Sequence, residues 1–185
     1  LLTVSFCSFT FSSSFTYPPD TDLVIDVTQP PWNVDNSGGT DVTDDLQALI
    51  DTYKYDTQHD HPYIIYLPDG TYPVSGTLMG STNDGGYGQG WIIIQGESRH
   101  GTVIKLQDDC DGSGDTQDFT DPDNPRPVIN YFSGNWSNNA FINVLENLTI
   151  DVGSGNAGAI GAHFFDNNCG CVRELTIRPS CANPV

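Results

Sequence analysis

"TDVTDDLQALID" at residues 40–51, followed by "IIYLPDGTYPVSGTL" at residues 64–78, is the stretch that decides the fold. Leu46, Leu49, Ile50 and Tyr53 recur at helical spacing and make a single apolar stripe, which predicts an amphipathic helix over 43–55. Thr43 or Asp44 is placed to cap it, and Asp44 with Gln47 has capping-box spacing. Acids at its start and Lys54 near its end suit the helix dipole. Behind it, Ile64–Leu67 reads as a short buried strand, Pro68-Asp69-Gly70 as a turn, and the residues after Gly70 as a second strand. The chain never returns to a helical period. One helix followed only by short strands points to a helix that seals the end of a repetitive β structure.

Repeats carry the same argument further along the chain. Glu146-Asn147-Leu148-Thr149-Ile150 and Arg173-Glu174-Leu175-Thr176-Ile177 read as one strand met twice, since Leu148 to Leu175 and Ile150 to Ile177 are equal intervals. Ala159–Phe165 supplies another strand between them, and Thr102–Leu106 shows the same alternation, with Ile104 and Leu106 inward. Short β units at a fixed period that cannot bury their faces alone mark a solenoid. The inward set expected is Leu46, Leu49, Ile50, Ile65, Leu67, Ile104, Leu106, Leu148, Ile150, Leu175 and Ile177, and the glycines at 153–158 suit left-handed corners.

In this order the motifs "GGTDVTDDLQALID", "IIYLPDGTYPVSGTL", "WIIIQGESRHGTVIKL", "NNAFINVLENLTIDVGSGNAGAIGAHF" and "VRELTI" resemble the N-terminal segment of the pectate-lyase-like superfamily. The nearest group is the one shared by rhamnogalacturonase-type and exo-β-1,3-glucanase-type proteins. The resemblance covers roughly Asp26 to Ile177 and implies an all-β fold: a right-handed parallel β-helix, or solenoid, with an N-terminal capping α-helix. For activity it implies only a range, because such scaffolds host lyases, hydrolases, epimerases and non-catalytic binders.

Composition fits an extracellular β protein of one domain at most, with Gly 19 and Pro 12 supplying turns. The formal charge of -18, from 24 acids against 6 bases, excludes nucleic acid and an anionic membrane as partners, since both require basic patches. Its plain reading is a surface kept soluble in an external medium. Residues 1–20 are apolar and Ser/Thr-rich, with no charge before Asp20, and read as the remnant of a secretory signal or as a disordered segment. An edge strand is the other reading of this stretch, and the apolar run is too short and too broken by Ser to span a membrane. Residues 21–185 are then the first coils of the β-helix domain, and the protein is expected to be secreted.

Without that segment, Cys110, Cys169, Cys171 and Cys181 remain, enough for two disulfides of open connectivity. Cys169 and Cys171 stand two apart and cannot easily bond each other. The spacing suggests neither a redox pair nor a zinc site, and one or both of these cysteines read equally well as small buried hydrophobes.

Residues 108–125, "DDCDGSGDTQDFTDPDNP", interrupt the strand rhythm. Asp109, Asp111 and Asp115 around Gly112 and Gly114 offer hard oxygen ligands for Ca²⁺, but the closing Glu of an EF-hand is missing. The other reading is a solvated loop, which the resemblance favours. No metal set is assigned and no cofactor is expected, Ca²⁺ being the one candidate.

Further chemistry is sparse. Asp44-Asp45 is explained by its place at a helix start. His163, beside Phe164 and Phe165, is a candidate acid/base or a rim residue. Asp151 and Asp166 follow strands, where a groove can recruit them, but no spacing fixes a pair. The pectin-hydrolase-like set of the superfamily and the Arg-centred site of its calcium-dependent lyases are both missing, and Arg173 and Arg178 occur outside any such motif. Asn135 and Asn147 head N-glycosylation sequons, and Asn147 equally reads as a turn-stacked Asn of a solenoid. Catalytic and substrate-binding residues are left unassigned.

After Ile177 only Arg178–Val185 follow, so the chain is expected to be a fragment holding the cap and first coils, and prone to aggregate through its last strand. Two functions compete: the N-terminal part of an exported glycoside hydrolase or polysaccharide lyase, and a non-catalytic glycan-binding adhesin or tail-spike-like β-helix. The charge favours a neutral polysaccharide over pectin, with Trp91 or Trp136 as candidate stacking residues.

Overall fold

The computed structural model describes residues 14–18, 21–54, 61–79, 92–114, 116–131, 142–166 and 169–179. The helix forms where the apolar stripe lies: α1 (Thr43–Tyr53) buries Leu46, Leu49 and Ile50. Its start differs from the expectation. The N-cap is Val42, whose N–H donates to the Pro73 carbonyl at 2.9 Å, while the Asp41 carboxylate accepts the Thr43 N–H at 2.9 Å. Neither Thr43 nor Asp44 is the cap. The Thr43 hydroxyl instead accepts the Ser75 N–H at 2.8 Å, which ties the helix start to the strand that ends at Val74. Lys54 is the first residue past the helix and pairs with Asp51 at 2.9 Å; Tyr55 lies outside the described residues.

Every strand pairing between named strands is parallel. In chain order they are β1 (Val24–Asp26), β2 (Tyr63–Leu67), β3 (Gly70–Val74), β4 (Leu78–Met79) and β5 (Ile92–Gly96). Then follow β6 (Thr102–Leu106), β7 (Arg126–Asn130), β8 (Val144–Asp151), β9 (Ala159–His163) and β10 (Cys171–Arg178). β1, β2, β5 and the first half of β8 make one ladder. β3, β6 and the second half of β8 make another, and β4, β7 and β9 a third. β10 pairs along the whole of β8, so it extends both of the first two ladders.

The same order of segments therefore recurs layer by layer. Leu175 lies opposite Leu148 and Ile177 opposite Ile150, the register expected from the repeat, at a separation of 27 residues. Equivalent positions stack into apolar columns: Ile65, Ile94 and Leu145 in one, Tyr72, Ile104 and Ile150 in another, Leu78 and Ile129 in a third. Parallel strands covered on both faces read as hydrophobic runs, as β5 does. α1 lies against β2 and β4, and its Leu46, Leu49 and Ile50 join the same core.

β8 changes ladder within a single strand, and the device is local. Asn147 takes φ 59°, a left-handed conformation that Asn tolerates better than most residues, and turns the chain between Glu146 and Leu148. Glu174 (φ 47°) does the same in β10. In the layer before β8 the corner is Gly96, where a Cβ would stand 2.3 Å from the Asn147 carbonyl, so only glycine lets the two layers approach.

The inward list holds through β8 and weakens at β10. Leu175 is half-buried, and Ile177 is 50 % exposed although it continues the Tyr72–Ile104–Ile150 column. No described strand pairs with the far edge of β10, so its apolar side chains are covered on one side only. Leu148→Ala should therefore cost about 2–5 kcal/mol and Ile177→Ala under about 1.5 kcal/mol, read as the difference in unfolding free energy by urea titration.

Candidate functional site

Of the charged residues flagged in the sequence, Asp151, Arg173 and Arg178 serve the ladders. Asp151 ends β8, and one of its oxygens accepts Arg178 Nη2 at 2.8 Å and Nε at 3.1 Å, while the other accepts the Gly153 N–H. Glu146, nearly buried, accepts Arg173 Nε from the position directly opposite in β10. This ion pair holds the Arg173 guanidinium in its charged form still more firmly than usual. Asp166 accepts the backbone N–H groups of Asn143 and Gly170 at 3.0 and 2.7 Å. His163 ends β9, exposed, and its carbonyl accepts the Tyr131 N–H at 2.8 Å. Asp151 and Asp166 are thus each committed to local structure rather than brought together as an acid pair.

Five of the six basic residues pair with carboxylates. Lys54 pairs with Asp51, Arg99 with Glu174 at 3.1 Å, Lys105 with Asp108 at 3.9 Å, and Arg173 and Arg178 as above. Arg126 is close enough to Asp118 to help hold that carboxyl below the ordinary range, behind the stronger effect of the Thr120 N–H and hydroxyl.

The acidic loop is folded on itself. Asp111 Oδ1 accepts the Ser113 N–H and Asp118 Oδ1 the Thr120 N–H, each at 2.9 Å, and Asp111 and Asp118 form an antiparallel bridge. Among the described residues no three His, Cys, Asp or Glu side chains are gathered to hold a metal ion; Asp115 lies outside them.

Asn147 is a corner residue. It is 1 % exposed, and its Nδ2 donates to the Gly96 and Glu97 carbonyls at 3.0 and 2.6 Å. A glycan has no room there, which settles this sequon in favour of the turn-stacked reading; Asn135 lies outside the described residues. Cys110, Cys169 and Cys171 are free thiols rather than disulfide partners, and Cys181 is outside the described residues. Cys110 behaves as a small hydrophobe: burial, reinforced by Asp41, Asp108, Asp111 and Asp109, pushes its thiol up to about 11.

Sequence reasoning missed one concavity among the described residues. A cleft of about 530 Å³ opens beside β1, walled by Trp32, Tyr53 and Tyr66, with Tyr17, Asp26 and Gln29 at its margins. The turn after β1 is closed by Trp32 N–H and Asn33 N–H to the Gln29 carbonyl, at 3.0 and 3.1 Å. It sets Trp32 edge-on to Tyr53, ring centroids 5.9 Å apart. Tyr17 meets Tyr66 the same way at 5.2 Å. Burial raises the Tyr66 hydroxyl, and the charges of Glu97, Asp26 and Asp69 raise it further; burial likewise raises Tyr17. Both stay protonated donors: Tyr66 to the Phe15 carbonyl at 2.8 Å and Tyr17 to Gln95. Residues 14–18, at the end of the segment read as an export remnant, thus lie along β5 and β2, while residues 1–13 are outside the described part. Trp91 and Trp136, the aromatics singled out from the sequence, are outside it as well. Trp32 had a signal in the Pro-Pro-Trp turn opposite the helix-stripe residue Tyr53.

The family model for rhamnogalacturonase A/epimerase, pectate lyase-like proteins matches residues 32–183. The chain belongs to this family. Membership suggests a polysaccharide-active enzyme-like domain and a polysaccharide as its class of substrate. Comparison with curated proteins and with solved structures gave no match. No described helix is long and apolar enough to cross a membrane.

The thiols supply a direct test of burial. Alkylation of the native protein at pH 8 with peptide mapping should label Cys169 within minutes and Cys110 only after unfolding; equal labelling of the two would contradict the packing described.

Proposed function

We propose that this chain forms the N-terminal coils of an exported polysaccharide-active enzyme, a glycoside hydrolase or polysaccharide lyase, whose substrate is a neutral glycan. In this reading the three ladders are the faces of a right-handed parallel β-helix and α1 covers its N-terminal end, with the chemistry supplied by coils beyond residue 185. The observation that carries it is the family match over 32–183 laid on ladders that repeat in one chain order. The neutral substrate follows from charge. A pectin-like polyanion would approach a surface of formal charge -18 on which five of the six basic residues are already paired with carboxylates. Binding would need those pairs broken or a bridging Ca²⁺.

A second reading, a non-catalytic glycan-binding β-helix, is favoured by the commitment of Glu146, Asp151 and Asp166 to structural bonds. The full-length protein should depolymerise laminarin, with and without chelator, and leave polygalacturonate intact. Calcium-independent cleavage of polygalacturonate alone would overturn the substrate assignment, and cleavage of neither, with retained glycan binding, would favour the binder.

A further inference from the structure

We propose that the cleft beside β1 is a binding subsite for neutral sugar rings, separate from any catalytic groove. It rests on the glycan reading above for its ligand class, but on its own geometry for its existence. At about 530 Å³ it falls within the range of small-molecule sites, roughly 300–1,000 Å³, with room for more than one pyranose. Its walls have the two-sided chemistry of such a ring. Trp32 and Tyr53, both half-buried, offer apolar surface for the C–H face. Hydrogen-bonding groups line it as well: the Gln29 amide, Asp26 and the Thr21 hydroxyl, which donates to the Pro18 carbonyl at 2.7 Å and keeps its oxygen to accept from a ligand.

Asp26 is oriented before any ligand arrives. Its Oδ1 accepts the Thr28 N–H at 2.9 Å and the Thr28 hydroxyl at 2.7 Å, so a sugar hydroxyl would meet Oδ2. No Lys or Arg lines the cleft, which disfavours uronic acids beside that carboxylate. A quaternary ammonium would satisfy the rings and Asp26 but leave Gln29 and Thr21 without bonds to the ligand, so the polyhydroxylated ring is the better match. Tyr53 closes the last turn of α1 and Trp32 lies on the turn after β1, so the helix and the first ladder position the two walls together.

Isothermal titration of the chain with laminarihexaose and cellohexaose tests this, with trigalacturonate and tetramethylammonium as competing probes. Binding of a neutral oligosaccharide is expected. Trp32→Ala should weaken it roughly tenfold or more, and Gln29→Ala, an exposed side chain whose removal leaves the core untouched, roughly threefold or more. Circular dichroism checks that Trp32→Ala remains folded; if it does not, Gln29→Ala decides alone. The proposal is overturned if neither neutral oligosaccharide binds, if trigalacturonate or tetramethylammonium binds in preference, or if binding is unchanged in the folded variants. Neutral-sugar binding weakened by these variants in a full-length protein that cleaves no glycan would uphold the subsite and remove the enzyme reading. Cleavage of laminarin with binding unaffected by them would do the reverse.

Discussion

The fold depends on corners that must coincide from one layer to the next. A parallel ladder has its strands in register only if each layer turns at the same place, and here a column of polar contacts enforces that. Glu97 accepts the Asp69 N–H at 2.9 Å, and Asp69 accepts the Ser98 hydroxyl at 2.7 Å. Thr102 donates to the Leu67 carbonyl at 3.1 Å. Asn147 then donates to Gly96 and Glu97, and Thr149 to the Arg99 carbonyl at 2.6 Å. Arg99 reaches on to Glu174 at the corner of β10. Each corner thus satisfies backbone groups of its neighbour that burial would otherwise leave costly.

Once the corners align, the rest follows by stacking. Apolar residues fall over one another inside, and on the other face the same register aligns polar and charged residues: Gln95, Glu146 and Arg173 in one row, Lys105, Asp151 and Arg178 in another. Cross-strand pairs of this kind stabilise a sheet modestly, but they also engage Arg173 and Arg178, two of the few cations the chain has. Among the described residues, Tyr17, Trp32, Tyr53 and Tyr66 gather at the cleft beside β1.

Much of this was legible in the sequence because its signals are local. The Leu46–Leu49–Ile50 stripe, the Pro68–Gly70 turn and the Leu148/Leu175 repeat each declare themselves through period or turn chemistry. What was not legible depends on partners distant in the chain. The helix cap moved because Thr43 is claimed by Ser75, 32 residues away. Ile177 reads like Ile150 but is half exposed, since inwardness requires a layer on both sides. Asn147 carried two readings, a sequon and a corner, and only the Gly96 carbonyl 51 residues earlier separates them. The cleft escaped because its walls come from a turn, a helix end and a strand with no shared motif.

The claim that aligned corners hold the layers together is tested most directly at Asn147. Asn147→Ala removes both donated bonds and places an alanine at φ 59°, and Asn147→Gly removes the bonds while relieving the backbone. Unfolding free energies by urea titration should show Asn147→Ala destabilised by about 2–4 kcal/mol, with Asn147→Gly recovering no more than about 1 kcal/mol of that. An Asn147→Ala protein within about 0.5 kcal/mol of the parent would show that the layers stack without the corner contacts, contradicting the account.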